Sequence, residues 1–444
     1  MPRLFGTDGI RGIANVDLKP PLAYALGRAT AQHLGAAGGA IVVGQDTRRS
    51  GDMFVAAIAA GATSLGVDVH QVGVVPTPAL AFLAGRGSFA GGIIVSASHN
   101  PADDNGLKVL DGRGLKLDDA IEDELEQLIW QADELVGVGN ARLGRVVDAR
   151  ALVEEYRAHR LALAADIPAT GLKVVLDGAN GSGAMLGPGI LASTGASVEV
   201  IHAAPDGINI NVRCGATDPA SLAEAVVRLG ADVGFALDGD ADRLIAVDAN
   251  GHVVDGDQVL GILALDRLAR GALPGGGLVV SVLSNGGLQS AVEAAGGQVV
   301  RTPVGDKYIL EGMQVSGATL GGEKSGHVII LEHTTSGDGI VTALEVLRVM
   351  CARRESLATL ASAIPMLPQQ QRAVRARHKD QWEGDRILGA AIAEATARLG
   401  PEGRILVRPS GTEPALRVMV EGPDAPLVLE LADSLATLAG ERLD

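Results

Sequence analysis

A chain of 444 residues, 47% apolar and 20% charged, has the composition of a folded protein and room for about three domains at about 150 residues each. Its 53 acidic residues outweigh 37 basic ones, for a net charge of -16, and only 2% of its residues are aromatic. Nucleic-acid binding needs a basic footprint and rings for stacking, so that class is excluded, and any phosphate this chain handles must sit in a local basic pocket.

The opening stretch MPRLFGTDGIRG has no apolar segment of signal-peptide length, and no run of about 18 apolar residues follows. The cytoplasm is the expected location, with no membrane partner. Apolar β-branched runs at 40–45 (AIVVGQ), 67–75 and 91–98 alternate with Ala/Leu-rich helical stretches, which predicts a first α/β domain over 1–150. A helix over 151–167 leads into a second, 151–255, with strands at 172–178, 197–203 and 233–240. A helix over 256–270 opens a third, 256–365, with a strand at 277–283. The prolines and glutamines of SAIPMLPQQQRAV (362–374) then mark the passage to a smaller α+β domain, 366–444. The expected fold is therefore α/β: three similar α/β domains plus a smaller C-terminal α+β domain. Without low-complexity linkers the four should pack around a shared cleft, with ligands at the carboxyl ends of the strands. The two cysteines, Cys214 and Cys351, stand in no metal-like spacing and predict neither a disulfide nor a zinc site.

Four loops carry chemistry. After GGIIV come Ser96, Ser98, His99, Asn100 and Pro101, with Lys108 ten residues beyond Ser98. A hydroxyl exposed at a strand end beside a cation can carry or stabilise a phosphate, although an ordinary polar turn uses the same residues. A hydrolytic Ser-His pair is not expected, because no G-x-S-x-G elbow is present and adjacent side chains on an extended chain point apart. In GFALDGDADR, Asp238, Asp240 and Asp242 alternate before Arg243. On an extended segment the three carboxylates share a face and suit one hard divalent ion, with Mg2+ the one expected, against the alternative of a solvated acidic turn. An EF-hand register fails, since Arg243 and Ala249 would replace the required Gly and Glu.

In GGEKSGH (321–327), Glu323 breaks a Walker-like spacing before Lys324 by setting a carboxylate where phosphates would lie. Glu323, Ser325 and His327 suit the hydroxyls of a sugar instead, or a tight turn. RILVRPSGTEPALRV (404–418) offers Arg408, Ser410, Gly411, Thr412 and Arg417, the donors that hold a dianionic phosphate. GANGSGAMLG (178–187) mimics a dinucleotide fingerprint but lacks the acidic residue ending the next strand, and is read as a turn leading into a helix.

With FGTDGIRG (5–12), these loops in this order resemble the α-D-phosphohexomutase superfamily over the whole chain, and within it the bacterial branch acting on glucosamine phosphate. The resemblance implies that Ser98 is the phosphorylated serine and that Asp238, Asp240 and Asp242 hold one Mg2+ together with it. Lys108 and Arg11 would assist proton movement and neutralise charge, and His99 would shape the loop. Arg243, Glu323, Ser325 and His327 would contact the sugar. Arg408, Ser410, Gly411, Thr412 and Arg417 would hold the phosphate that is not reacting. The implied reaction interconverts glucosamine 6-phosphate and glucosamine 1-phosphate through a 1,6-bisphosphate, which also serves as primer, and feeds amino-sugar and cell-wall precursor synthesis in a monomer or homodimer. Phosphoglucomutase or phosphomannomutase activity by the same mechanism is the alternative, a simple phosphatase another, and a noncatalytic sugar-phosphate sensor a remote one. One position departs from the pattern: VGDKY (304–308) carries Lys307 where such enzymes usually have Arg, and lysine cannot make a bidentate phosphate contact.

Overall fold

Unbroken Val, Ile and Leu runs make strands that are covered on both faces, and every residue of the segments GGIIV (91–95) and VGFAL (233–237) is buried. The structure, a computed structural model of the chain, describes residues 3–6, 8–34, 39–410 and 414–444. The first sheet holds β1 (Ile10–Ile13), β2 (Ala40–Gln45), β3 (Asp68–Val74), β4 (Gly91–Val95), β5 (Asp104–Asp111) and β6 (Val146–Asp148) in the order β1-β5-β4-β2-β3-β6. The second holds β7 (Lys173–Asp177), β8 (Ser197–Ile201), β9 (Val233–Leu237), β10 (Leu244–Asp248) and β11 (Val253–Val254) in the order β11-β10-β9-β7-β8. The third holds β12 (Gly277–Ser281), β13 (Gln298–Thr302), β14 (Leu320–Gly322) and β15 (Val328–Ile330) as β13-β12-β14-β15. The last is an antiparallel sheet of β16 (Gln369–Arg375), β17 (Arg404–Pro409) and β18 (Ala415–Glu421) in the order β16-β18-β17.

The first three sheets repeat one wiring. In each, three parallel strands form the centre, with β6 added parallel to β3 at the edge of the first, and one of the three is followed by an antiparallel neighbour: β4 by β5, β9 by β10, β14 by β15. The sequence reading found β2, β3, β4, β7, β8, β9 and β12 among the parallel strands, and missed β6, β13, β14 and these returns. β5 conceals its strand pattern because Asn105 and Lys108 are buried within it. Each reversal juts from the carboxyl ends of the parallel strands, and these turns hold three of the four loops singled out above.

The packing divides the chain differently from the sheets. A single apolar core runs from Ala164 and β7, β9 and β10 through β12, β14, β15 and the helix Gly339–Arg353 to Ile364, so the second and third sheets share it. The first sheet has separate cores on its two faces, and the last has its own around Leu388, Leu416 and Val428. At the shared seam Asp338 caps Gly339–Arg353, its Oδ1 accepting from the Ile340 and Val341 N–H groups at 3.0 Å. Its Oδ2 accepts from Tyr156 Oη and Arg160 Nη2, both at 2.9 Å, and Arg160 and Asp338 are fully buried. Arg160→Ala strands the Asp338 charge in the interior and is expected to cost about 3–5 kcal/mol, read as a lower urea midpoint.

The fourth sheet is tied to the third by polar groups. Arg404 donates to the carbonyls of Val282 and Ser284 at 2.7 Å, and Glu421 accepts from Gly286 N–H at 3.0 Å. Among the described residues no helix is long and apolar enough to cross a membrane, and Cys214 and Cys351 are both free thiols.

Candidate active site

β4 delivers Ser96, Ala97 and Ser98 into the cleft, where the chain turns. Ser98 takes a left-handed backbone, φ 51°. That turn overrides the expectation from an extended chain, because it swings His99 back until its Nδ1 lies 3.2 Å from Ser98 Oγ. Burial, with Arg243 and Arg11 nearby, pushes His99 down to about 4, so its ring is neutral and able to accept a proton. The two serines separate clearly. Ser96 Oγ donates to Asp46 Oδ2 at 2.6 Å and accepts from Ser98 N–H at 2.9 Å. Ser98 Oγ donates at 2.6 Å to Asp238 Oδ2, across the gap to the second sheet.

The segment after β9 is a turn, with Ala241 at φ 56°, rather than the extended run the sequence suggested. It still gathers Asp238, Asp240 and Asp242, all buried, with one oxygen from each within 4.8 Å of the others. Asp240 Oδ2 accepts from Thr77 Oγ1 at 2.6 Å and Lys108 Nζ at 3.1 Å. Asp240 Oδ1 and Asp242 Oδ1 are buried and accept no hydrogen bond among the described residues. Burial, and then the charges of Asp242 and Asp240, hold Asp238 well above the usual carboxylate range. Three crowded carboxylates with two oxygens left without a donor among the described residues are the donor set that a hard divalent cation completes, so these residues fit Mg2+.

Burial opposes a charge on Lys108, but Asp240 and Asp8 outweigh it and hold the ammonium above its ordinary range. Its Nζ lies 3.0 Å from Asp8 Oδ2. The group is thus fixed as a cation, which favours charge neutralisation over the proton transfer expected of it. Arg11 pairs with Asp8 and donates to Asn100 Oδ1 at 2.9 Å. Lys116 extends this chain of charges by binding both Asp8 and Asp306, which joins the first sheet to the third.

Glu323 accepts from Gly305 N–H at 3.2 Å and lies within electrostatic reach of both Arg243 and Arg408, so the second, third and fourth units meet around it. Ser325 Oγ is buried with no hydrogen-bond partner among the described residues. Arg243 Nε stands 3.8 Å from Asp242 and 4.0 Å from Asp238.

His327 departs from its expected place on the sugar. Its buried ring faces Asp242 Oδ2 through Nδ1 at 3.5 Å and accepts from Gly337 N–H at Nε2, which engages both nitrogens behind the carboxylates. Lys307 also points elsewhere, pairing with Asp119 and Glu122 of the first unit.

In the fourth unit Arg408 and Arg417 are direct partners across β17 and β18. Opposed like charges repel, and burial together with Arg417 holds Arg408 below its usual range, so an anion between the two guanidinium groups would relieve both. Ser410 follows, its carbonyl bound by Lys379. Gly411 and Thr412 lie outside the described residues.

Several residues at this site were not singled out from the sequence, although Asp8 lies within the FGTDGIRG motif. Asp46, Arg48, Thr77, Asp8 and Asn211 act on partners 50 or more residues away, apart from contacts within their own loops. A second cluster, Asp177, His202 and Cys214, ties loops together at the ends of β7 and β8. Asp177 accepts from the Ala179 and Gly215 N–H groups at 2.9 Å, faces His202 Nδ1 at 3.1 Å, and burial followed by Asp177 pushes the Cys214 thiol up to about 12.

Residues 2–136, 154–251 and 255–367 match the families described as phosphoglucomutase/phosphomannomutase alpha/beta/alpha domains I, II and III, and residues 372–438 match the C-terminal domain of the same enzymes. A phosphoglucosamine mutase of Moorella thermoacetica is 51% identical over 427 residues, 96% of each chain. The solved phosphoglucomutase/phosphomannomutase family protein of Burkholderia thailandensis superposes with a TM-score of 0.82 at 27% identity, covering 99% of this chain and 98% of that one. The N-acetylphosphoglucosamine mutase of Aspergillus fumigatus, solved with GlcNAc-6P and magnesium, shares the fold at a TM-score of 0.73 and 19% identity, over 99% of this chain and 96% of that one. Matched along nearly its whole length by all four of these families and by the Moorella relative, the chain belongs to the phosphoglucomutase/phosphomannomutase family.

Proposed function

We propose that this protein interconverts glucosamine 6-phosphate and glucosamine 1-phosphate, carrying the phosphoryl group on Ser98 and passing through the 1,6-bisphosphate. The observation that carries this reading is the buried Ser98 hydroxyl, 2.6 Å from Asp238 at the head of three carboxylates and beside a fixed ammonium. The Moorella relative, a phosphoglucosamine mutase, supports the choice of sugar. Units 1–150, 151–255, 256–365 and 366–444 then each supply one loop: carrier, metal, sugar and phosphate.

Arg408, Ser410 and Arg417, with Gly411 and Thr412, hold the phosphate already on the sugar, while Glu323 and Ser325 bind its hydroxyls and Arg243 bridges them to the carboxylates. The free sugar hydroxyl attacks the phosphorus on Ser98. The new sugar O–P bond forms as the P–Oγ bond breaks, and the hydroxyl proton ends on Ser98 Oγ, where Asp238 Oδ2 accepts it in a hydrogen bond. Neutral His99, 3.2 Å from the same oxygen, can relay that proton. Lys108 and Arg11 neutralise charge as the phosphoryl group moves. Asp238, Asp240, Asp242 and phosphorylated Ser98 would hold a Mg2+ ion, which when bound would further neutralise that group. The bisphosphate then turns around and returns its other phosphate to Ser98 by the reverse of the same step, so one set of donors serves both halves.

Turnover of glucosamine, glucose and mannose 6-phosphates, with Mg2+ and a trace of hexose 1,6-bisphosphate, tests the assignment. Glucosamine 6-phosphate is expected to give the highest kcat/KM, and a preference for glucose or mannose phosphate would overturn it. Arg408→Ala is expected to raise KM for the sugar phosphate about 10- to 100-fold, the worth of a charge-assisted hydrogen bond, in steady-state assays.

A further inference from the structure

The carbonyl groups of the Ser98 loop converge on a single side chain. Arg48 is fully buried against Asp46, with Nε 2.9 Å from Oδ2. Its remaining nitrogens donate to the carbonyls of Ser98 at 3.0 Å, Asn100 at 2.8 Å and Asp104 at 2.9 Å, and to that of Pro101. All of these groups belong to the first unit.

One more donor comes from the second unit. Asn211 Nδ2 lies 2.8 Å from the Ser98 carbonyl and 3.2 Å from that of Asn100. The pairing fixes which way the amide points, because a flipped side chain would set its oxygen against two carbonyl oxygens. Asn211 Oδ1 accordingly accepts nothing among the described residues although it is buried. The Asn211 backbone is itself left-handed, φ 59°, and anchored by its N–H to the Ala179 carbonyl at 2.9 Å. Gly239 closes the remaining space. A Cβ there would come within 2.6 Å of the Ser98 carbonyl oxygen and 3.0 Å of Asn211 Nδ2, so the backbone of the carboxylate loop packs directly against this pair.

Serine rarely adopts a left-handed backbone, so something must hold Ser98 in it. We infer that Asn211 is a positioning residue: by binding the Ser98 and Asn100 carbonyls from across the cleft, it holds Ser98 in the conformation that directs its hydroxyl at Asp238. Arg48 supplies half of this clamp from within the first unit, and Asn211 supplies the other half only when the second unit is docked. The carrier is thereby set in register by the same unit that brings the three carboxylates. The catalytic part of this inference rests on the phosphoserine role proposed for Ser98. The conformational part does not.

Two substitutions test it without forcing the backbone. Asn211→Gly keeps the left-handed turn and removes the amide, and Asn211→Asp keeps the shape but sets an acceptor against two carbonyls. Amide hydrogen exchange over residues 97–104 is expected to speed up by about tenfold or more in both variants, with the rest of the first unit unchanged. Turnover should fall about 10- to 100-fold at a KM within about twofold of wild type, as expected for a misplaced reacting group. Unchanged exchange in both variants overturns the inference. So does faster exchange with full kcat, or a loss confined to KM. A wild-type protein that never takes up phosphate on Ser98 from glucose 1,6-bisphosphate would sink the proposed function, while the exchange measurement would still decide whether Asn211 holds the loop.

Discussion

Replacing Ser98 with alanine is expected to abolish phosphate uptake and to lower turnover by about 10^4-fold or more, because no other hydroxyl can take over the covalent step. Ser96 is the obvious substitute, two residues away and fully buried, but its oxygen already donates to Asp46 and accepts from Ser98 N–H. Ser96→Ala leaves the buried Asp46 short of a donor and is expected to cost about 1–3 kcal/mol in stability while preserving the carrier. Intact-mass measurement after incubation with glucose 1,6-bisphosphate should add one phosphate to wild type and to Ser96→Ala, and none to Ser98→Ala. Peptide mapping should place it on Ser98. Phosphate on Ser96, or an active Ser98→Ala enzyme, contradicts the mechanism at its first step.

Asp240→Asn is expected to reduce Mg2+ affinity by about 10^2-fold or more, with a matching loss of activity at a fixed metal concentration. The Asp240 oxygens are used unequally: Oδ2 accepts from Thr77 and Lys108, and Oδ1 is orphaned in the cleft. An asparagine keeping the first set of contacts must turn its NH2 toward the place where a cation would bind. Lys108 retains Asp8 at 3.0 Å, so the fold survives and the loss is local. Calorimetric titration with Mg2+ reads the affinity without reference to catalysis, and wild-type affinity in this variant would remove Asp240 from the metal site.

The sequence made the four loops legible because each clusters its polar groups within about ten residues after an apolar strand, and local spacing is what a sequence displays. It misled where geometry depended on one dihedral angle. With Ser98 assumed extended, His99 pointed away from the hydroxyl, and a left-handed turn brings it to 3.2 Å. His327 looked like a sugar ligand by its place in EKSGH, yet its ring lies behind Asp242, a residue 85 positions earlier.

Arg48 and Asn211 were illegible for a more general reason. Their partners are backbone carbonyls, which every residue has, so nothing in QDTRRSG or INVRC announces them. Glycine-rich stretches also offered a rival reading, which the missing acidic residue ruled out. GANGSG proved to be a turn before the short helix Gly187–Ala192, packed so closely that a Cβ on Gly181 would lie 2.4 Å from the Gly239 carbonyl.

The apolar core shared by the second and third sheets bears on how such a chain can be recombined. By wiring the protein is three copies of one pattern and a small cap, which suggests interchangeable parts. By packing, the middle two copies are fused on one face: Leu176 and Phe235 on one side and Leu278, Leu320 and Ile340 on the other belong to one continuous interior, while each keeps a smaller core of its own on the other face. A chimera that exchanged the second unit alone would bring in half of a core shaped for a different partner and leave the helix Gly339–Arg353 packed against a foreign surface. The workable crossover points are therefore the two outer joints, and the middle pair must travel as a single piece.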